Sequence, residues 1–263
     1  MNKFPFYVLG LVSLLLFTQC KKDDVIIDPV TPENPVVTPP AKQLKSITNL
    51  TPQTSSTEYT WDDKGHLTKV LYHTGMYSTY TFSGKNVAIK LYVNDEDYNL
   101  TATGTLNDKG AFTQITGTLF QEGEIIPYSL NCEYNAAGEI TKSTAKEGDK
   151  TEVFELTWTN GNLTGLKEYR QGVLSFTSVY TYDTNIPNKS GFDVGTNFLE
   201  STGGCAGVRS KNLLINSKRT QLSNNTLVQN ATYTYELDNE NYITKLTYAD
   251  AVYNSNYPYQ YNY

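Results

Sequence analysis

The stretch WDDKGHLT, Trp61 to Thr68, sets Asp62, Asp63 and His66 close together, and such side chains can exchange protons or ligate a metal. The chain has only two histidines, His66 and His73, so a site that needs an imidazole draws on this region. Nucleophilic catalysis would pair Cys205 with one of them, yet both lie over 130 residues earlier and no acid is marked to orient them. No serine elbow, zinc-ligand spacing, phosphate-cradling glycine loop or dinucleotide fingerprint occurs. A hydrolase with paired carboxylates needs only spatial closeness, which 27 Asp and Glu residues can supply anywhere. NDEDYN, Asn94 to Asn99, gathers oxygen ligands but lacks the glycine and terminal acid of a calcium loop, and it reads as a solvated acidic turn. Neither a metal nor a cofactor is expected. Aromatics are the more informative group: the chain ends YPYQYNY, so Tyr257, Tyr259, Tyr261 and Tyr263 share one face of a last strand. Three uses compete for them: an amphipathic core lining, an exposed platform for sugar rings or a partner protein, or a barrel-assembly signal.

The turn-like stretches position these residues. Leu106 to Thr113 reads LNDKGAFT, Tyr134 to Thr141 YNAAGEIT, Trp158 to Thr164 WTNGNLT and Leu237 to Thr244 LDNENYIT. In each, as in WDDKGHLT, an apolar residue follows two positions after a glycine (Asn241 in the last), and a threonine follows three after it. A tight reversal needs a residue with φ above zero, which glycine supplies freely and asparagine tolerates. Asp or Asn ahead of it bonds the local backbone. Each copy is therefore a β-hairpin turn, and His66 is expected to sit exposed at the edge of one. Gly84 and Gly172 mark two looser turns, and Val87, Ile89, Leu91 and Val93 alternate as one strand face does. No helical period appears. The fold class is all-β: an antiparallel up-and-down meander of about 12 to 16 strands, which at that size must curve or close like a barrel. From Thr184 to Arg219 the pattern weakens into a Gly-, Ser- and Asn-rich excursion, either a functional loop or a crossing connection.

The N-terminus bounds the location. Lys3 precedes an apolar run from Phe4 to Phe17, 14 residues long, whereas a spanning helix needs about 20. Residues 1–19 therefore read as a secretory signal, and Cys20 directly follows. The segment resembles a bacterial lipoprotein signal, which implies cleavage before Cys20 and acylation of its thiol. Lys21-Lys22-Asp23-Asp24 is similar to the surface-export tag of Bacteroides-group lipoproteins; Gln19 departs from the small residue usual before the cysteine. Residues 20–43 then form a stalk, with five of the ten prolines between Pro29 and Pro40. The 19 residues Val25 to Gln43, as extended polyproline-like chain at about 3.1 Å per residue, reach about 60 Å. Residues 44–263 form the β domain. The net charge of −6 includes Lys3, so loss of the signal leaves −7, and with no basic run this argues against nucleic acid as a partner. Cys132 shares a strand face with Leu130 and Tyr134 and reads as a buried thiol; a bridge to Cys205 is the alternative.

The hairpin unit resembles the tyrosine-aspartate repeats of Rhs-type shells. Cys20, the stalk and the uneven hairpin series together are similar to a family of uncharacterised secreted Bacteroides-group lipoproteins, a domain of unknown function with a porin-like fold. The resemblance implies a curved or barrel-like sheet and no catalytic residue. Membrane insertion of such a barrel needs an outward apolar band on every strand. Lys69, Lys142 and Lys245 stand two residues past Leu67, Ile140 and Ile243, hence on the same strand face, with threonine on the other, which argues against insertion. The expectation is a non-enzymatic lipoprotein held to the outer membrane by palmitate or a similar acyl chain on Cys20. It faces the cell exterior and binds an extracellular glycan or protein through Tyr257, Tyr259, Tyr261 and Tyr263. A structural envelope lipoprotein is the alternative, and the paired-carboxylate hydrolase comes third.

Overall fold

A computed structural model describes residues 42–51, 55–72, 75–93, 97–121, 123–190 and 209–263. Cys20, the stalk up to Ala41, His73, Cys205 and Asn94 to Glu96 of the acidic stretch lie outside the described residues. The strands are β1 Ser46–Asn49, β2 Ser55–Trp61, β3 Leu67–Tyr72, β4 Tyr77–Ser83, β5 Asn86–Val93, β6 Asp97–Leu106, β7 Phe112–Gln121 and β8 Glu124–Tyr134. There follow β9 Ile140–Glu147, β10 Lys150–Thr159, β11 Asn162–Arg170, β12 Val173–Pro187, β13 Asn212–Gln221, β14 Thr226–Leu237, β15 Ile243–Asp250 and β16 Ser255–Asn262. Each pairs antiparallel with its neighbour in sequence, and the four-residue β1 pairs with both β2 and β16, closing a 16-stranded barrel. Closure removes both sheet edges, which would otherwise be open to further strand addition.

The repeated turns all lie at one end of this barrel, and their chemistry explains each recurring residue. Gly65, Gly110, Gly138 and Gly161 have φ between 76° and 85°, and Asn241 has 65°. Asp62 Oδ1 accepts the amides of Lys64 and His66 at 2.9 and 2.8 Å; Asn107 and Asp238 accept corresponding pairs. The threonine is the extra residue of a β-bulge. In β2–β3, Trp61 faces Leu67 while the adjacent Thr60 faces Lys69, so Thr68 has no opposite number. Its Oγ1 donates to the Thr60 carbonyl at 3.1 Å. Thr113, Thr141, Thr164 and Thr244 donate in the same way to Thr105, Glu133, Thr157 and Glu236 at 3.0 to 3.3 Å.

The bulge corrects one expectation. One extra residue shifts the alternation by one, so Lys69, Lys142 and Lys245 face outward, opposite to Leu67, Ile140 and Ile243, which point into the barrel. The outer wall is polar for a more direct reason than the sequence suggests. A cross-strand row Glu133, Lys142, Glu155, Lys167, Thr177, Thr220 runs over β8 to β13 with alternating charge. Glu155 and Lys167, in the middle of β10 and β11, are incompatible with an apolar band on those strands.

Inside, the apolar residue after each turn plugs the repeat end. Leu67, Phe112, Ile140, Leu163 and Ile243 are at most 1 % exposed. Each such burial contributes about 2 kcal/mol. The aromatic ahead of three of the turns packs with them and directs its polar tip to main chain. Trp61 donates to Leu44, Tyr134 to Phe112 and Trp158 to Ile140, all at 2.7 Å. Gly104 makes room for one plug: a Cβ there would stand 2.1 Å from the Phe112 ring. Farther in, Tyr59, Tyr80, Tyr180, Tyr233 and Tyr261 are buried in the same continuous core. Cys132 joins them as a free thiol, and burial pushes it up to about 12, so it is an inert core residue.

The excursion is shorter than the sequence suggests, because residues 184–187 and 212–219 belong to β12 and β13. Its exit is fastened by SKNL, Ser210 to Leu213. Ser210 Oγ accepts the Leu163 amide, and the Asn212 amide nitrogen donates to Asn162 Oδ1 while Asn162 Nδ2 donates to Asn212 Oδ1. Asn212 Nδ2 also reaches the carbonyls of Thr184 and Ile186. All of these side chains are buried, so the motif acts as a buckle that ties the excursion to the β10–β11 turn.

Gly104→Ala is expected to lower the urea unfolding free energy by about 1–3 kcal/mol through overpacking against Phe112. Adding Phe112→Leu to it should restore part of the loss; an unchanged midpoint for the single variant contradicts the packing described.

Candidate functional site

The WDDKGHLT side chains do meet, but as a turn brace. Asp62 Oδ2 lies 2.9 Å from His66 Nδ1, and the imidazole stacks on Phe82 at 4.4 Å. His66 is thus half-buried against a ring, where full exposure was expected, because the strand pair β3–β4 brings Phe82 beneath it. Burial pushes the Asp62 carboxyl upward, but the bonds from His66 and Lys64 outweigh it and hold it below the usual carboxylate range. Asp63 is exposed on the turn. Among the described residues no three His, Cys, Asp or Glu side chains are grouped to hold a metal.

Tyr257, Tyr259, Tyr261 and Tyr263 occupy one face of β16 and its end, and that face is the inner one. Tyr261 is buried, and Tyr259 and Tyr263 pack partly against the core. Tyr263 stands edge-on to Tyr242 at 5.1 Å in the repeat end, and burial pushes its hydroxyl pKa up. Tyr257, nearest the opposite end, is 39 % exposed and tilts over Tyr248 at 6.1 Å. The four therefore run from plug to mouth, and only the last reaches water to a large extent.

The chain enters the barrel at the plugged end. Lys42 Nζ sits 2.7 Å from Asp238 Oδ2 and 2.9 Å from Glu240 Oε1, over the Tyr242 ring. Those contacts raise the Lys42 ammonium and hold Asp238 low.

At the far end the interior changes character. Glu147, Glu152, Glu168, Arg170 and Arg219 face inward from β9, β10, β11 and β13, where register sets Glu152 opposite Arg170 and Phe154 opposite Glu168. Glu168 is the hub: Arg170 donates to its Oε1 at 2.6 and 2.7 Å, and Arg219 to its Oε2. Both guanidiniums also lie over the Phe176 ring, at 4.9 and 4.1 Å from its centroid. Burial pushes the Glu152 carboxyl up, Arg170 pulls against that, and Glu168 and Glu147 push it further up. Glu147 is 5 % exposed, and its Oε2 has no hydrogen-bond partner. Water does reach the cluster, since the side chains of Arg170 and Arg219 are 38 % and 32 % exposed.

Around this mouth the turns carry apolar side chains. Leu50, Phe120, Ile125, Val173, Leu222 and Leu227 are 37 % to 72 % exposed in or beside the far-end turns. Val252 and Tyr253 extend the ring along the β15–β16 turn toward Tyr257. Among the described residues, the other large apolar side chains that stand exposed are Val179 and Ile215, on the wall. The far end thus combines an apolar rim with a charged floor, an arrangement suited to holding a partner with both apolar and ionic groups.

The charged floor went unrecognised in the sequence although a signal for it was present. Glu152 alternates with Phe154, Leu156 and Trp158, which marks it as inward, and Glu168 alternates with Leu166 and Arg170. An ionisable group on a face otherwise apolar is a buried charge that requires a partner.

A structural comparison fits this architecture. No family model matches the chain, and no curated protein does. Among solved structures, a porin-like protein from Bacteroides uniformis superposes with a TM-score of 0.62 at 17 % identity, covering 85 % of this chain and 98 % of that one. A second, from Bacteroides vulgatus, gives 0.57 at 16 % identity, covering 84 % and 98 %. The chain therefore shares the all-β fold of these porin-like Bacteroides proteins: an antiparallel barrel, closed here by 16 strands.

Proposed function

We propose that the chain is a surface-exposed, lipid-anchored binding module that engages an extracellular glycan or protein with the end of its barrel opposite the tether. The observation that carries this is polarity along the axis. Lys42 fastens the entering chain at the plugged end, while the exposed apolar side chains gather at the other. A rim of that kind is costly to leave in water and is the usual mark of an interaction surface. Tyr257 and Tyr253 supply aromatic faces there. Acylation of Cys20 and export through the Lys-Lys-Asp-Asp segment belong to the same proposal, as does placement at the outer membrane. The structural-lipoprotein alternative draws on the buried side chains that fill the repeat end. The hydrolase reading finds less support, because Glu168 is already engaged by two arginines.

The full chain in detergent, screened against extracellular glycans and proteins, is expected to yield a ligand. The double variant Ile125→Asp/Val173→Asp should then weaken its binding at least about tenfold, as loss of rim anchors does. Tyr257→Ala should weaken it less, and Thr177→Asp on the outer wall should leave it unchanged. Absence of any ligand, or undiminished binding by the rim variant, favours the structural role.

A further inference from the structure

We infer that the far mouth receives the cationic side chain of a partner polypeptide, a lysine or arginine, with Glu147 as its counter-ion. The inference rests on the binding role of the rim and names what the rim surrounds. Three carboxylates, Glu147, Glu152 and Glu168, face two guanidiniums, and both guanidiniums are bound to Glu168, Arg170 also standing 3.4 Å from Glu152. Glu147 is the carboxylate that neither guanidinium pairs with. Its Oε1 has only Lys150, at 3.8 Å and on a side chain 62 % exposed, and its buried Oε2 has no partner.

An enclosed carboxylate oxygen without a donor is expensive to maintain, and a matching cation is what such a site selects. Glu147 lies opposite Tyr128 on β8 and one diagonal step from Glu152, so an entering ammonium would meet two carboxylates and a phenol ring. Exposed apolar side chains at this end, Ile125 on the adjacent β8 and Val173 opposite Arg170 on β12, favour a cation borne on a chain with apolar neighbours over a free, fully hydrated amine. Lys150, hinged on the β9–β10 turn, is the internal competitor that such a group displaces.

The test uses the full chain with ¹³C-labelled glutamate and three probes. These are acetyl-Leu-Lys-Leu-amide, the same peptide with the lysine Nε acetylated, and spermidine. The charged peptide is expected to shift the Glu147 carboxyl resonance saturably, and the acetylated one not. Glu147→Gln should weaken the charged peptide at least about tenfold, as removing one member of a buried charge pair does. Lys150→Gln should strengthen it, and Glu133→Gln on the outer wall should change nothing. Equal binding of the acetylated peptide, indifference to Glu147→Gln, or no shift at Glu147 overturns the inference. Binding of spermidine as tight as that of the charged peptide overturns the polypeptide assignment. The rim reading stands or falls separately, on the Ile125→Asp/Val173→Asp result.

Discussion

The structure depends on one hydrogen bond made five times, from a threonine hydroxyl to a main-chain carbonyl on the strand before it. Each accompanies a bulge directly after a turn, and each bulge moves the following residues by half a pleat. Leu67, Phe112, Ile140, Leu163 and Ile243, just ahead of the bulged threonines, point inward as a plug. The shift turns Lys142 and Lys245 outward, where they pair with Glu133 and Glu236. Without it, a hairpin with the same turn would bury a lysine or expose a large apolar side chain. Bulges also increase local twist, which a sheet must have to close on itself.

From that plug the interior grades along the barrel axis. Beyond the plug come buried tyrosines such as Tyr233, whose hydroxyl bonds Ser217, and then ion pairs near water. A charge cluster so placed contributes little to stability compared with the apolar core, since desolvation offsets most of its attraction. Its position under an apolar rim is easier to understand as a demand of recognition. On the proposed function the two ends are specialised, one for attachment and the other for contact.

Much of the fold was legible in the sequence because turn chemistry is local. Gly65, Gly110, Gly138, Gly161 and Asn241 announce their backbone conformation, and strand alternation between them gives an antiparallel meander. Closure was less legible, since it rests on four residues, Ser46–Asn49, reaching Tyr259 to Asn262 more than two hundred positions away. The recurring threonine was visible but not its reason, because its acceptor lies across the hairpin; the lysine faces were misassigned as a consequence. His66 was read as exposed because Phe82, its stacking partner, is on another strand. The Glu168 hub joins β11 and β13 across the excursion, and no local pattern signals such a contact.

The most direct test is to obstruct one end at a time. In a Cys205→Ser background, Ile125→Cys at the rim and Ala136→Cys at a repeat turn can each be coupled to a bulky maleimide, and ligand capture by intact cells measured. The account predicts that the label at residue 125 abolishes capture while the label at residue 136 leaves it intact. Equal capture by both, or loss only with the label at residue 136, would contradict it.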